Sequence, residues 1–456
     1  TNLPTGRIVG LLYLPVAFTQ AREWLRLRPA KAWAVNYVYL IVLGGLFGLL
    51  LPWPDITMMR PFTLAAQGRS LIYSARLLTD ISLVIFVANQ LRQPGMLYYV
   101  GKAMAIGSTI TALAGAAYLV AKVDLYFPLT GIGEQAVMID RARGLSIEPR
   151  SLGLSCAYGI MILLLGRGKL FTTWPVLVLI NLVALLITYS ASSYVLLGAG
   201  VLTACVFFSN KERGVVIALM LLAVMLLVGA VIYMPDRVQY AMDTLQFRLD
   251  PNYKLSGIPP GNFGQEIAYR LDVFDACALL FLLDQPLYAL IGAGPGLVSL
   301  PASYYVPQGI YSFIWTSEIG INSLPFHGLL LEASNSGLLG LVLWFVQVFS
   351  CWGALRYLNN KAARSDEKQE WTFAYALFII GVVFYTVQVS SSPVWSIFLG
   401  IGWMAAKLAA EKSGKLKAAQ AGERSEARPR SPDRRNHSVP DAAMALQRPD
   451  DGFIKK

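Results

Sequence analysis

Long apolar stretches alternate with short polar intervals along most of this 456-residue chain. A helix needs about 20 apolar residues to cross the roughly 30 Å hydrocarbon core of a bilayer, and stretches near this length recur throughout the sequence. The pattern predicts spans at 35–53, 70–91, 97–121, 151–166, 171–189, 193–209, 214–234, 328–352, 372–389 and 393–410. We therefore predict an all-α polytopic membrane protein with about 10–12 transmembrane helices.

The amino-acid composition excludes several classes of protein. Hydrophobic residues make up 55% of the chain and charged residues only 14%, whereas soluble domains carry about 25% charged residues. This balance excludes an ordinary cytoplasmic enzyme, a nucleic-acid-binding module and a disordered scaffold. The four cysteines lie in apolar segments without a CxxC pair, so we interpret them as small buried residues rather than as a disulfide framework or a metal site.

Charges between the predicted spans distinguish the two sides of the membrane. Basic residues at 22–31, 92, 167–169, 211–213 and 356–368 all fall on one side, together with the carboxyl-terminal tail. Of the net charge of +11, +5 lies from Lys407 onward, where there are 12 Lys and Arg and 7 Asp and Glu. The positive-inside rule predicts that this side is cytoplasmic and that both termini lie there.

The opposite, external side receives two larger loops, 122–150 and 235–327. The second loop contains 4 Lys and Arg but 8 Asp and Glu, the reverse of the cytoplasmic pattern. We predict a transmembrane helical domain at 1–411, with 235–327 inserted in it as a large periplasmic loop that contains short helices. The basic tail, 412–456, is predicted to be disordered in the cytoplasm because it is poor in apolar residues.

Two other apolar runs do not fit the pattern of a full-length membrane span. The run 8–18 contains Pro15 and is too short to span comfortably, so we predict an interfacial or shortened helix. The stretch 273–291 is interrupted by Asp275 and Asp284. It predicts one or two helices on the external surface, with a re-entrant pair as the alternative.

The chain contains only two histidines. His437 lies in the predicted disordered tail, whereas His327 lies at the external mouth of the span that begins near residue 328. A titratable imidazole at a membrane–water boundary is suited to accept a proton from a sugar hydroxyl near neutral pH. The alternative is that His327 caps the helix or anchors it at the interface, and position alone favours neither interpretation.

Arginines on the external side form a second candidate group. The positive-inside bias makes them less expected there, and a guanidinium fork matches phosphate oxygens in a bidentate way that lysine does not. The alternative for each is an ion pair with a neighbouring carboxylate. The members of the group are Arg141, Arg143, Arg150 and Arg270.

Two further features carry a structural and a functional interpretation. Arg76 and Asp80 lie four residues apart within one predicted span, where charges are functional candidates, but a local salt bridge is the simpler prediction. The run 292–296, which we call the glycine loop, could offer backbone N–H groups to an anion. Pro295 removes one of these donors, and glycine- and proline-rich runs are mostly turns.

A resemblance emerges from the order of these features. His327, followed by Leu331-Glu332 and then Gly337-Leu338-Leu339-Gly340, resembles the signature of the O-antigen ligase and O-antigen polymerase superfamily of bacterial membrane glycosyltransferases. Arg143-Gly144-Leu145-Ser146-Ile147-Glu148-Pro149 is similar to a segment frequent in polysaccharide polymerases, and Arg270 followed by the glycine loop is similar to the arginine-then-glycine stretch of the family. Together the motifs cover 143–340, in the order of the family and on the same predicted side.

The resemblance implies a metal-independent glycosyl transfer, without a cofactor, at the periplasmic face of the bacterial inner membrane. The implied donor is an undecaprenyl-pyrophosphate-linked oligosaccharide, the acceptor is a glycan or a lipid, and a chain-length regulator is a candidate partner. Membrane lipids are also partners, and nucleic acid is not. His327 would activate the acceptor hydroxyl, and the implied substrate-binding residues are Arg143, Glu148, Arg150 and Arg270.

The sequence departs from the family pattern at two places. Gly328 stands where the family often has Asn after its histidine, and 188–193 contains no arginine where the family often has Ser-Arg. The second departure shifts the expected diphosphate contacts to Arg143, Arg150 and Arg270.

Three functions remain as alternatives. The arginine-to-Glu-Pro segment favours a polymerase of O-antigen or exopolysaccharide repeat units. The nearest alternative is a ligase of the same superfamily, which moves finished glycan onto lipid A core or protein. A polysaccharide or lipid transporter is the alternative from another class. It would favour paired broken helices in two related halves, and the sequence shows no clear internal repeat.

Overall fold

A computed structural model of the chain describes residues 5–50, 66–93, 95–121, 144–145, 149–188, 190–205, 273–298, 301–305, 325, 327–387 and 393–426, together with isolated positions between 214 and 246. Within these residues the chain is helical and contains no strand. Contacts divide the chain into one unit at Thr1–Ala410 and a second at Glu411–Lys456.

The helices of the described residues follow the predicted apolar stretches. They are α1 (Thr5–Trp24), α2 (Arg28–Leu50), α3 (Ala66–Gln90), α4 (Met96–Ala121), α5 (Pro149–Gly166), α6 (Trp174–Leu186), α7 (Ala191–Cys205), α8 (Val273–Asp284), α9 (Pro286–Ile291), α10 (Gly328–Lys361), α11 (Ser365–Val387) and α12 (Pro393–Glu426). Nine of the ten predicted spans coincide with these helices. The tenth, 214–234, lies almost wholly outside the described residues.

Five helical segments among the described residues are long and apolar enough to cross a membrane: Ser70–Gln90, Met96–Tyr118, Arg150–Lys169, Gly328–Lys361 and Val394–Gly414. The helices α6 and α7 are apolar but shorter. The chain is therefore an all-helical protein of the membrane class over the part that the structure describes. The larger span number of about 10–12 stays a prediction.

The hydrophobic core of the first unit includes an aromatic contact where α5, α11 and α12 meet. Tyr158 contacts Phe384 edge to face, with ring centroids 4.6 Å apart, and stacks on Phe398 at 5.5 Å. Gly381 lies directly against the ring of Phe398, which leaves no room for a Cβ. Small residues at such contacts let membrane helices approach closely. This packing fixes α11, which carries a tyrosine of the candidate site.

Loops predicted to be cytoplasmic lie together at one end of the first unit, which we call the inner end. The N–H of Gly95 donates to Oε1 of Glu370 at 3.2 Å, and Lys169 Nζ lies 3.8 Å from Asp366 Oδ1. A cavity of about 520 Å³ opens between these loops. The grouping agrees with the predicted sidedness, while the direction in which this end faces remains a prediction.

The charged pair within α3 differs from its prediction. Asp80 does not form the local salt bridge with Arg76, because its Oδ1 accepts a hydrogen bond from Nε of Arg7 in α1, at 3.4 Å. The helix α1 runs well beyond the predicted 8–18 and packs along α3. Gly10 allows this approach, since a Cβ there would overlap the carbonyl oxygen of Thr79.

The last helix differs from its prediction as well. α12 continues to Glu426, so helix replaces the predicted disorder over 412–426. Ala, Lys, Glu and Gln predominate after Glu411, and these residues favour helix even without a buried face. Residues 427–456 lie outside the described part of the chain.

A break divides α10 into two half-helices. Gly337 has φ 62° and ψ −163°, a conformation that is open essentially only to glycine. Residues 328–336, which we call the outer half of α10, are thereby separated from 338–361. The break leaves backbone carbonyls of the outer half without their usual donors in the next turn.

The glycine loop supplies the missing donors. Its backbone runs beside the break and uses positive φ at three glycines. Three N–H groups donate to the outer half: Ala293 to the carbonyl of Ser334 at 2.9 Å, Gly294 to the carbonyl of Asn335 at 3.0 Å, and Gly296 to Oδ1 of Asn335 at 3.0 Å.

The helices α8 and α9 are the two short helices predicted for 273–291. Tyr39, midway along α2, donates a hydrogen bond of 2.6 Å to the carbonyl of Ile291 at the end of α9. The backbone of Leu290 lies against Gly337. The end of α9 therefore lies beside the middle of α2 and the break in α10, which favours the re-entrant alternative over helices on the external surface.

Candidate functional site

His327 and Asp275 form a closely bonded pair at the start of α10. His327 is the N-cap residue of this helix, but its side chain makes no capping hydrogen bond. The carboxylate of Asp275 instead contacts it twice. Oδ1 accepts the backbone N–H of His327 at 3.1 Å, and Oδ2 lies 2.8 Å from Nδ1. Two contacts from one carboxylate fix both the position and the rotation of the imidazole.

The two side chains of this pair differ in exposure. The His327 side chain is 39% exposed and that of Asp275 only 1%. A carboxylate accepts hydrogen bonds, so Nδ1 carries the hydrogen and Nε2 presents its lone pair on the far side of the ring. The described residues place no hydrogen-bond partner on Nε2. The imidazole is therefore held by Asp275 on its Nδ1 side and accessible on its Nε2 side, which suits proton transfer at Nε2.

Asp275 reaches this position because of how α8 packs. It lies in the first turn of an otherwise largely apolar helix, where the N–H groups of the helix start favour a carboxylate. The apolar face of α8 packs against the glycine loop through Cys277, Phe281 and Ala293. Burial of an unpaired carboxylate would be costly, and the two hydrogen-bonding contacts with His327 offset that cost.

Glu332 lies one turn further into the outer half. Its Oε1 accepts a hydrogen bond from the hydroxyl of Tyr385 at 2.8 Å. Tyr385 is buried and stacks on Trp395, with ring centroids 4.5 Å apart. Gly328 allows this arrangement, since a Cβ there would overlap the tyrosine ring and backbone. The glycine that follows His327 thus makes room for the partner of Glu332.

Asn335 connects the outer half to α3. Its Nδ2 donates to the hydroxyl of Tyr73 at 3.0 Å, while its Oδ1 accepts from Gly296. All N–H groups of the glycine loop are therefore used in hydrogen bonds within the protein. Three donate to the outer half of α10, Gly292 donates to the carbonyl of Tyr288, and Pro295 has no N–H. The alternative that this loop cradles an anion through its N–H groups is wrong.

A tyrosine–aspartate hydrogen bond joins the segment after the glycine loop to α8. Tyr305 donates a hydrogen bond of 2.5 Å to Oδ2 of Asp284, at the end of α8. The hydrogen bond lowers the pKa of Asp284 below its usual range. Burial, together with this bond to the carboxylate, raises the pKa of Tyr305 to about 12. The contact ties the end of α8 to the residues that follow the loop.

Most of the predicted substrate-binding residues lie outside the described part of the chain. These are Arg143, Glu148 and Arg270, together with Arg141. Arg150 is described at the start of α5, where its carbonyl accepts a hydrogen bond from Oγ of Ser193 at 3.5 Å. The described contacts do not join Arg150 to His327, so its role stays a prediction.

Sequence reasoning missed the partners of the predicted site. Asp275 is visible in the sequence only as a charge that interrupts an apolar stretch, and a lone carboxylate of this kind does require a partner. The partner lies 52 residues further along the chain. Tyr385 and Tyr73 give no such signal, because tyrosines are common near membrane boundaries.

No protein-family model matches the chain, and no curated protein matches it at a significant level. The functional conclusion is therefore drawn from the residues of the site and their geometry.

Proposed function

We propose that the chain is a membrane glycosyltransferase that polymerises oligosaccharide repeat units linked to undecaprenyl pyrophosphate. The reaction would take place at the periplasmic face of a bacterial inner membrane. One observation carries the proposal: His327 is fixed at the start of α10, a candidate span, with Nδ1 bonded to a buried aspartate and Nε2 open. This is the arrangement that a general base for a hydroxyl group requires.

The chemistry balances without a cofactor. The hydroxyl oxygen of the acceptor glycan attacks the anomeric carbon of the donor sugar, and the bond from that carbon to the diphosphate oxygen breaks. The hydroxyl proton passes to Nε2 of His327, and the lipid diphosphate leaves with the bonding electrons. Asp275 stabilises the imidazolium that forms, because its carboxylate already accepts the Nδ1 hydrogen.

The leaving diphosphate requires positive groups, which are the second part of the proposal. Arg143, Arg150 and Arg270 are proposed to bind it, on the resemblance of their segments to the family motifs. Glu148 is proposed as a further substrate-binding residue on the same ground. Fixed guanidinium groups that receive developing charge each contribute on the order of 10²–10³ in rate.

The broken helix raises the transporter alternative again, since discontinuous helices are typical of transporter sites. Such sites use the backbone groups that a break exposes. Here the carbonyls of Ser334 and Asn335 accept hydrogen bonds from N–H groups of the glycine loop. Among the described helices, Gly337 is the one interior residue at which a break is identified. This single, internally satisfied break favours a structural role, namely to hold the outer half with His327 at its start.

The experiment is a gene disruption followed by complementation, read as the ladder of glycan lengths on a gel. Loss of a polymerase leaves single repeat units on their acceptor, and the His327→Ala variant is expected to restore none of the longer bands. Wild-type sequence and Asp284→Asn, which alters an exposed carboxylate at the other end of α8, are expected to restore the full ladder.

Other outcomes identify the alternatives. Long glycan that accumulates unattached after disruption would show a ligase. A full ladder from His327→Ala, at wild-type protein abundance in the membrane, would contradict the assignment of the general base.

A further inference from the structure

The cavity at the inner end of the first unit lies at the level where candidate spans reach the membrane surface. It has a volume of about 520 Å³ and is lined by Leu91 and Leu97, which lie at the adjoining ends of the candidate spans Ser70–Gln90 and Met96–Tyr118. The cavity lies beside the end of α10, whereas His327 precedes the start of that helix. It is therefore a second concave site, away from the candidate general base.

The lining of this cavity changes from charged to apolar with depth. Asp366 and Glu370 line it near the start of α11, and Ala374 lies one turn further into the same helix. Ala374, Met404 and Leu97 are buried and form an apolar floor. A charged opening above an apolar floor, at the level of the membrane surface, follows the order of headgroup and hydrocarbon in a lipid.

Charged side chains of both signs surround the opening. Lys169 and Asp366 are 3.8 Å apart, with side chains 56% and 92% exposed, so this pair is held only weakly. Arg364 also lines the cavity, and its guanidinium group forms no ion pair or hydrogen bond among the described residues. Glu370 accepts the N–H of Gly95 at Oε1 and forms no ion pair within 4 Å in the same part of the chain. These cations and carboxylates surround open space instead of neutralising one another at close contact.

The balance of charges indicates the kind of headgroup that fits. Arg92 and Glu367 also line the cavity, so three basic residues accompany three acidic ones. A purely anionic headgroup would meet the carboxylates unfavourably, and a purely cationic one would meet the basic residues. A headgroup with both a phosphate and a primary ammonium group has charged partners for its acceptors and for its donors.

We propose that this cavity binds the headgroup of a zwitterionic phospholipid with a primary ammonium group, such as phosphatidylethanolamine. The phosphate oxygens accept hydrogen bonds from Arg364 and Lys169, and the ammonium group donates to Glu370 and Asp366. The apolar floor receives the glycerol end and the first methylene groups of the acyl chains. This site does not depend on the glycosyl transfer proposed above.

The test is native mass spectrometry of the purified full-length chain in detergent, titrated separately with phosphatidylethanolamine, phosphatidylglycerol and phosphatidylcholine. Phosphatidylethanolamine is expected to bind about tenfold more tightly than the other two lipids. Phosphatidylglycerol lacks an ammonium group, and the quaternary ammonium of phosphatidylcholine has no N–H donor.

Two variants separate the contacts of the ammonium group from those of the phosphate. Glu370→Gln keeps an acceptor oxygen for the N–H of Gly95 but removes the charge. It is expected to weaken binding of phosphatidylethanolamine by about fivefold and to leave phosphatidylglycerol binding within about twofold. Arg364→Gln is expected to weaken binding of both lipids, because both carry the phosphate. A purely structural role would lower the affinity for all three lipids together, along with the unfolding midpoint.

Matched controls remove the same charges outside the cavity. Glu23 and Arg356 are exposed and do not line it. Glu23→Gln and Arg356→Gln are therefore expected to leave phosphatidylethanolamine binding within about twofold. Size-exclusion profiles and thermal unfolding midpoints show which variants are folded.

The remaining outcomes decide the proposal. Soluble phosphoethanolamine that fails to displace the lipid at equal concentration supports a lipid site, whereas displacement at equal concentration shows a soluble ligand and contradicts the lipid assignment. Equal affinity for the three lipids overturns the proposal. Unchanged binding of phosphatidylethanolamine by folded Glu370→Gln and Arg364→Gln variants overturns it as well.

Discussion

The end of the first unit that carries His327, which we call the outer end, differs from the inner end in the surroundings of its charged side chains. At the outer end, Asp275 and Glu332 are carboxylates on largely apolar half-buried helices, and each is bonded to one ring-bearing partner. At the inner end, by contrast, each paired lysine faces a carboxylate that is more than half exposed. Lys169 and Asp366 form such a pair, with side chains 56% and 92% exposed.

The cost of burial explains what this difference means. Exposed ion pairs contribute about 0–1 kcal/mol and are easily replaced. A carboxylate enclosed by apolar helices costs far more to maintain, and in membrane proteins such groups usually persist because a function uses them. Substitutions at the outer end should therefore change activity strongly, whereas substitutions at the inner end should change only stability, and only slightly.

Apart from His327 itself, the largest effect is expected at Asp275. Asp275→Ala removes both contacts to His327, so we expect glycan transfer in proteoliposomes to fall by about a hundredfold, within the range of a general base. Asp275→Asn keeps an oxygen for the backbone N–H of His327 but turns an amide N–H toward Nδ1, which places the ring hydrogen on Nε2, so a loss of at least about a hundredfold is expected as well. Asp284→Asn is the matched control. Equal rates for Asp275→Asn and Asp284→Asn would show that Asp275 does not position the imidazole.

Gly337 should give the next largest effect. A Cβ at this position would overlap backbone atoms of Leu290 and Gly292, and φ 62° with ψ −163° excludes other residues. Strain of this kind costs about 1–3 kcal/mol before any clash is added, so Gly337→Ala should lower the midpoint of thermal unfolding in detergent. Gly353→Ala, in the same helix with open space around its Cα, should leave the midpoint unchanged or slightly raised. A Gly337→Ala variant as stable as Gly353→Ala would mean that the break is not required.

A smaller, pH-dependent effect is expected at the inner end. Glu23 Oε1 lies 2.8 Å from Lys407 Nζ, which also lies over the ring of Trp24. The hydrogen bond from Lys407 holds the pKa of Glu23 below its ordinary value of 4.5. The stabilisation is therefore present above pH 4.5 and lost as the pH falls through the lowered pKa of the folded state.

Glu23→Gln checks this contribution. The carboxylate is largely exposed, so the variant should lose less than about 1 kcal/mol at pH 7. The difference from wild type in unfolding midpoint should shrink as the pH falls below 4.5 and through the lowered pKa of the folded state. A difference that persists or grows in acid would rule out the ionic contribution.

The smallest effect is expected for Lys169→Ala. Its partner Asp366 lies 3.8 Å away and both side chains are exposed, so the change in stability should stay within about 0.5 kcal/mol. Chemical denaturation in mixed micelles provides the measurement. A loss of stability as large as that of Gly337→Ala would contradict the expectation that substitutions at the inner end have only slight effects.

Apolar length and charge distribution predicted the helical class and the grouping of the basic loops, because both properties are summed over many residues. Nine predicted spans coincide with helices for this reason. His327 could also be singled out, since it combines a rare residue type with a position at the mouth of a span.

The pairings within the site could not be predicted in the same way. The sequence placed Asp80 with Arg76 by the rule for residues four apart, but the carboxylate bonds across helices to Arg7. The pair of Asp275 and His327 likewise depends on how α8 packs, which no local pattern contains. Gly337 stood inside a motif, yet its break depends on the glycine loop that occupies the freed carbonyls. Contacts between distant segments decide these features.

The role of His327 as the general base can be measured as the initial rate of glycan transfer by His327→Ala in proteoliposomes, with a lipid-linked repeat unit as donor. We expect a fall of at least about a hundredfold, with an unchanged unfolding midpoint and unchanged binding of the donor. A folded His327→Ala variant that transfers glycan within about threefold of the wild-type rate would contradict it, because a general base cannot contribute so little.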